Sequence, residues 1–155
     1  MKLRLLFIVL ILAGLGCNKK EIPTKTTLEM LNSHTWYVQS FSQDGHNIGL
    51  PCLLDNYFIF SKDGTGYYDE GVAKCNSVDS QRYNYNYSLS ADSKTLFISN
   101  VGPLLSHFDT SEQLDTVNKN LYWNIVKIND VYLEVTFKTG DSTHSHNYDF
   151  LFVND

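Results

Sequence analysis

The chain has 155 residues, 12 basic against 17 acidic side chains and a formal net charge of −5, which is enough material for one domain with a real core. Its acidity excludes binding nucleic acid or anionic lipid through a general positive field, since either needs a basic patch. Aromatic residues make up 14% of the sequence, and Tyr and Phe recur in the short alternating runs expected of β-strands.

At the N-terminus, Lys2 and Arg4 flank the start of an apolar run from Leu5 to Leu12, followed by Ala13-Gly14-Leu15-Gly16-Cys17. Early positive charges, a short apolar segment and small residues before a cleavage point are the parts of a secretory signal peptide. The run is too short to span a bilayer, which takes ~20 apolar residues. A cysteine directly after the small residues resembles the lipobox of bacterial lipoproteins. That resemblance implies cleavage before Cys17, a diacylglyceryl group on its thiol and an acyl group on its freed amine. Three places before the cysteine, where a lipobox usually has Leu, stands Gly14, with Leu15 next to it. The chain then divides into a signal peptide at 1–16, a lipidated tether at 17–25 and a single domain at 26–155. Cleavage removes Lys2 and Arg4 and leaves the mature protein more acidic still, so covalent lipid on Cys17 is its expected hold on the membrane.

Three cysteines are an odd number for an exported protein. Lipid accounts for Cys17, leaving Cys52 and Cys75 to pair. A bridge closing a loop of about 24 residues stabilises by roughly 3 kcal/mol in the chain-entropy model and persists outside the cytoplasm.

Asn18 to Lys25 is polar, contains Pro23, and forms a tether of at most ~25 Å when extended. Thr26-Thr27-Leu28-Glu29 is a capping-box pattern that opens a helix of one or two turns holding Leu28 and Leu31. Eight strands are predicted after it, near 35–42, 56–62, 65–71, 81–89, 94–99, 121–128, 131–138 and 146–153. The run from Val131 to Phe137 alternates most clearly, with Leu133, Val135 and Phe137 on one face and Glu134 and Thr136 on the other. Asp63-Gly64, Ala91-Asp92-Ser93 and Asn129-Asp130 read as tight hairpin turns. They follow the second, fourth and sixth strands, whereas the connections near 43–55, 72–80, 100–120 and 139–145 are long. In an up-and-down meander alternate connections share one end, so all the long loops lie together. The predicted fold class is all-β, an eight-stranded antiparallel up-and-down barrel with a short N-terminal helix at its tight-turn end. Cys52 and Cys75 fall in the first and second long connections, at one end, as their pairing requires. Asp109-Thr-Ser-Glu112 predicts a second short helix inside the third long loop.

Three features together carry a family resemblance: Trp36 opening the first strand; Cys52-Leu-Leu-Asp-Asn-Tyr-Phe-Ile-Phe60 with Asp63-Gly64; and Gly71-Val-Ala-Lys-Cys75. A lipid-anchored acidic barrel with this pattern over residues 31 to 153 resembles the lipocalin-like lipoproteins of Bacteroidota. His34 stands where a glycine commonly precedes the tryptophan, and Tyr85 and Tyr87 stand where a tryptophan is usual. The resemblance implies a lipocalin-like barrel that binds small apolar molecules.

Arg82-Tyr-Asn-Tyr-Asn-Tyr-Ser88 puts Tyr83, Tyr85 and Tyr87 on one strand face and asparagines on the other. Of these, Tyr85 and Tyr87 join Trp36, Phe58, Phe60, Phe137 and Phe150 as the candidate ligand-binding residues, since such rings offer apolar area and the tyrosines add hydroxyls. The competing expectation is that these rings, together with Tyr148 and Phe152, simply fill a narrow barrel. His144-x-His146 places two imidazoles on one strand face, with His46 and His107 in other long loops. They are weak candidates for a Zn²⁺ or Cu²⁺ site with Asp141 or Asp149 as donors, and no metal or cofactor is expected. Ser106-His107 with Asp109 contains triad residue types, but consecutive residues seldom reach triad geometry. Asp69 and Glu70 are expected to point to opposite faces of a strand, so they cannot pair for acid–base work. No catalytic motif of recognised spacing occurs.

The expectation is therefore a non-enzymatic, lipid-anchored lipoprotein of the cell envelope, binding a small apolar or amphipathic ligand at its long-loop end. Asn18-Lys-Lys-Glu21 lacks the acidic run that accompanies surface export, which favours the periplasmic face of the outer membrane over the cell surface. The alternative is a protein- or glycan-binding module with a filled barrel core, acting in an envelope complex.

Overall fold

The structure, a computed structural model, describes residues 24–49, 51–74, 82–100, 120–140 and 145–155. Helix α1 (Thr27–Ser33) starts at the expected capping box. Thr26 accepts from the backbone N–H of Glu29, and the Glu29 carboxylate accepts from the Thr26 N–H at 2.7 Å. Leu31 is fully buried, but Leu28, expected beside it, is 44% exposed, because a seven-residue helix presents only one residue per turn to the barrel.

The strands are β1 (Thr35–Gln43), β2 (His46–Asn47), β3 (Tyr57–Phe60), β4 (Thr65–Asp69), β5 (Arg82–Leu89), β6 (Thr95–Ser99), β7 (Leu121–Ile128), β8 (Tyr132–Gly140) and β9 (Ser145–Asn154). A 3₁₀ turn, Pro51–Leu53, precedes β3. Every pairing is antiparallel, each strand from β3 onward pairs with the next, and β1 closes the sheet by pairing with both β3 and β9. The eight long strands thus form the closed antiparallel up-and-down barrel expected. Strand β2 was not anticipated: it is a two-residue flap that pairs only with the end of β1, across a turn in which Asp44 and Gly45 both take positive φ.

Alternation sends Phe58 and Phe60, Tyr85 and Tyr87, Leu133, Val135 and Phe137, and Tyr148, Phe150 and Phe152 inward. Along β1 the buried positions are Trp36, Val38 and then Phe41, an offset of three at the second step. A register shift against β9 between Val38 and Ser40 causes the skip, and a second one lies in β7 between Ile125 and Lys127. Such bulges bend a strand and add twist, which closing a narrow barrel demands.

Gly66 makes room for an inward ring. It pairs directly with Tyr85, and a side chain on it would collide with the Tyr85 ring and the Ile59 carbonyl. Tyr85 lies flat across that gap and donates its hydroxyl hydrogen to the Ile59 carbonyl at 2.9 Å.

All three predicted tight turns are present at one end. At the first, Gly64 takes φ 83 and its N–H donates to the Ser61 carbonyl at 3.1 Å. At the second, Ser93 takes φ 58 and the Lys94 and Thr95 N–H groups reach the Ser90 hydroxyl. At the third, the Val131 and Tyr132 N–H groups share the Asn129 side-chain oxygen. Helix α1 closes this end: Trp36 donates its indole N–H to the Leu31 carbonyl at 3.1 Å, and Tyr87 donates to the Asn32 side chain at 2.5 Å. Asp130 in the third turn holds Lys25 at 2.6 Å and His34 at 3.2 Å, tying the approach to the helix onto the barrel.

Candidate functional site

All seven candidate ligand residues are inside. Trp36, Phe58, Phe60, Tyr85, Phe137 and Phe150 are at most 3% exposed, and Tyr87 is 7% exposed. Phe41 meets Phe150 at 4.5 Å, Phe137 stacks on Tyr148 at 5.0 Å, and Phe150 stacks on Phe152 at 5.3 Å, so rings occupy the described interior.

Trp123, absent from the sequence-derived candidates, is the hub of this cluster. Phe58 meets it edge-to-face at 5.1 Å, and Phe152, Phe150 and Phe137 lie nearly parallel to it at 5.6, 6.0 and 6.1 Å. The alternation of Leu121, Trp123 and Ile125 along β7 was the available signal. Trp123 is 1% exposed, and its indole N–H has no hydrogen-bond partner among the described residues. A buried donor left unpaired costs about 1–3 kcal/mol. Most apolar ligand sites hold a small number of placed polar groups of this kind.

The Tyr85 and Tyr87 hydroxyls are both paired. Besides Asn32, Tyr87 reaches the Ser61 carbonyl at 2.6 Å. Burial pushes the Tyr85 phenol well above its ordinary pKa, with Tyr87 and Tyr67 nearby adding to the shift. Burial also raises Tyr87, against a lowering contribution from Asn32. Both stay neutral at physiological pH, so neither supplies a charge.

At the long-loop end the buried groups are polar. The Asn56 carboxamide, oriented to satisfy all its partners, donates to the carbonyls of Cys52 at 3.0 Å and Glu70 at 2.7 Å and accepts from the Tyr68 hydroxyl. Asp69 accepts from Arg82 at 3.1 and 3.2 Å and from the Gly71 N–H at 3.0 Å. Asp55 gathers the N–H groups of Val72 and Ala73 at 2.7 and 2.9 Å. Asp69 and Glu70 are both buried, at 4% and 2% exposure; Asp69 keeps the register of its strand neighbours Tyr57 and Arg82, on the face where Arg82 stacks on Tyr67. β4 ends at Asp69, the chain turns at Gly71 (φ 62), and Glu70 lies 3.6 Å from Lys74. Asp69 is held by Arg82 and Glu70 lies beside Lys74, an arrangement that orders a loop and offers no acid–base pair.

Of the histidines, His46 sits exposed on β2, and His146 at the start of β9 bonds Asp44 at 2.6 Å. That contact, followed by the Asn147 N–H, holds the Asp44 carboxyl below the ordinary range. Asp149 accepts from the Ser42 hydroxyl at 3.1 Å. Among the described residues no three metal-ligating side chains come together. His107, Asp109, Asp141, His144, Ser106 and the second predicted helix lie outside the described residues, as do Cys17 and Cys75. Cys52 lies in the 3₁₀ turn, packed against the edge of the core. Among the described residues no helix is long and apolar enough to cross a membrane.

No protein-family model matches the sequence, and no curated protein sequence matches it. Solved structures of bovine odorant-binding protein are similar in shape. One from nasal mucosa is 14% identical over 87% of this chain and 77% of its own, with a TM-score of 0.46. A complex of that protein with a selenium-containing odorant is 15% identical over 88% and 77%, with a TM-score of 0.45.

Proposed function

We propose that this chain is a non-enzymatic lipoprotein of the cell envelope, anchored through Cys17, whose barrel binds one small apolar or amphipathic molecule. The observation that carries the ligand reading is the unpaired Trp123 N–H within an otherwise aromatic interior. An eight-stranded barrel is the size that either fills with side chains or holds one small ligand. A molecule with an apolar body and one acceptor would satisfy that donor while replacing ring–ring contacts with its own. The anchor reading rests on the leader and lipobox-like sequence before Cys17, and the envelope location, on the periplasmic face of the outer membrane, follows from it. A bridge between Cys52 and Cys75 completes this reading and would fasten the 3₁₀ turn to the segment after β4.

Two measurements test it. Native mass spectrometry of the protein released from bacterial membranes should show a retained small molecule, and its removal should change tryptophan emission through Trp123. An empty protein whose emission ignores added long-chain alcohols and fatty acids overturns the ligand reading. Labelled palmitate should enter the wild-type chain and not Cys17→Ser, and labelling of both overturns the anchor. The close ring packing around Phe41, Tyr148 and Phe137 favours the second reading, a filled barrel whose mouth loops engage an envelope protein or glycan. An empty protein would leave that reading standing.

A further inference from the structure

The outer wall of the barrel carries a feature that core packing does not require. Two shallow grooves open there and share Asn86. One, of about 250 Å³, is lined by Asn86, Ser88, Phe97, Ser99, Asn120 and Tyr122 among others. The second, of about 300 Å³, adds Thr65, Tyr67, Asn84 and Asn100. Among the described residues no Asp, Glu, Lys or Arg lines either groove, although 19% of the chain is charged. Arg82 stacks on Tyr67 at 4.1 Å, outside both linings.

Strand register arranges these side chains in rows. Thr65 pairs with Asn86 and Asn86 with Ser99, giving a hydroxyl, an amide and a hydroxyl in line across three strands. On the same face, Ser88 pairs with Phe97 and Phe97 with Tyr122, giving a parallel aromatic row. With strands ~4.8 Å apart, each row is roughly 10 Å long. Phe97 and Tyr122 are 37% and 55% exposed and meet edge-to-face at 5.4 Å. An edge-to-face pair covers only one of its own four ring faces, so stacking surface stays open. Cross-strand aromatic pairing strengthens a sheet, but it gives no reason for an adjoining uncharged row of amides and hydroxyls.

We propose that this wall, across β4 to β7, binds a neutral polysaccharide. A sugar ring presents an apolar C–H face to an aromatic ring and a rim of hydroxyls that both donate and accept. The aromatic row fits the first and the Asn, Ser and Thr row fits the second, since a carboxamide does both jobs at once. Charge selects the partner: a lining whose described residues include no cation favours a neutral partner over phosphate, acidic sugars or anionic lipid. The site is separate from the barrel interior, so it stands or falls independently of the ligand proposed for Trp123.

Detergent-solubilised full-length protein run in native gels containing dextran, laminarin, mannan or xyloglucan tests this, with polygalacturonate as the acidic control. Retardation is expected in at least one neutral gel and not in polygalacturonate. Phe97→Ala with Tyr122→Ala should weaken it about tenfold or more, Asn86→Ala several-fold, and Tyr122→Phe little, since that ring still stacks. Circular dichroism of each variant reports folding, and Tyr122→Ala alone serves if the double variant melts. No retardation in any neutral gel, equal retardation by the stacking-deficient variant, or equal retardation in polygalacturonate overturns the proposal. So does a double variant that changes only self-association in sedimentation.

Discussion

The two ends of the barrel are built by different means. At the tight-turn end each connection is short and satisfied by its own neighbours: Asp63 serves Thr65, Ser90 and Asp92 serve Lys94, and Asn129 serves Val131 and Tyr132. Helix α1 then seals that end with Leu31 and Asn32. At the long-loop end the stabilising contacts join residues far apart in sequence, such as Asp55 with Val72 and Ala73, Asp69 with Arg82, and Asp44 with Asn147. An end whose turns are each satisfied locally leaves the other end free to vary in sequence and length, and variable loops on a rigid scaffold are where binding usually resides.

The largest expected effect tests whether the sealed end anchors the fold. Trp36 is fully buried and also supplies the hydrogen bond that ends α1. Trp36→Ala should destabilise by about 3–5 kcal/mol in urea unfolding, and a loss of less than about 1 kcal/mol would mean that the helix is not part of the cooperative unit. Gly66→Ala comes next, because its methyl group must displace Tyr85 or the Ile59 carbonyl. A cost of about 1–3 kcal/mol is expected. Gly66→Ala combined with Tyr85→Ala should lose less than the sum of the two single changes, since the collision is between them.

These same residues show what a sequence can and cannot disclose. The eight barrel strands, three tight turns and capping box were legible because each is a local signal: alternation of period two, Asp-Gly or Asn-Asp, and Thr followed three places later by Glu. The inward set from Phe58 to Phe152 followed from alternation alone. The bulge at Val38–Ser40 was not legible, because it answers to closure of the barrel and nothing in Val-Gln-Ser announces it. Strand β2 is too short for a period to show. The burial of Asp69 beside Glu70 depended on a turn at Gly71 and on Arg82, which is 13 positions away. Trp123 was overlooked although alternation in β7 pointed inward, and its role as hub depends on rings from β3, β8 and β9 that only the closed sheet brings together.

The long-loop end has its own test. Asp69→Asn keeps the shape but removes the charge that holds Arg82 and weakens acceptance from Gly71. A loss of about 1–3 kcal/mol is expected, smaller than for Trp36 because Arg82 remains half in water and stays solvated. If Asp69→Asn instead matched Trp36→Ala, the long-loop end would be as integral to folding as the sealed one, and the contrast between them would fail.

The smallest effect asks, by pH, whether each turn opens on its own. The carboxyls of Asp63 and Asp92 are held below their ordinary values, Asp63 by the hydroxyl and N–H of Thr65 and Asp92 by the Ser90 hydroxyl and the Lys94 N–H. Asp130 is lowered by Lys25 and then His34. A depressed folded pKa means the contribution is complete above the unfolded value, near about 3.9 for Asp, and is lost as pH falls through the lower folded value. The amides of Thr65 and Lys94 should therefore lose hydrogen-exchange protection between about pH 5 and pH 2. The Tyr132 amide should not, because its acceptor is Asn129, which does not titrate. Asn147 supplies the counterpart at the long-loop end, where its N–H meets Asp44 at 2.9 Å. If Tyr132 lost protection alongside Thr65 and Lys94, the tight-turn end would be opening as one body and not turn by turn, and local satisfaction would no longer explain its closure.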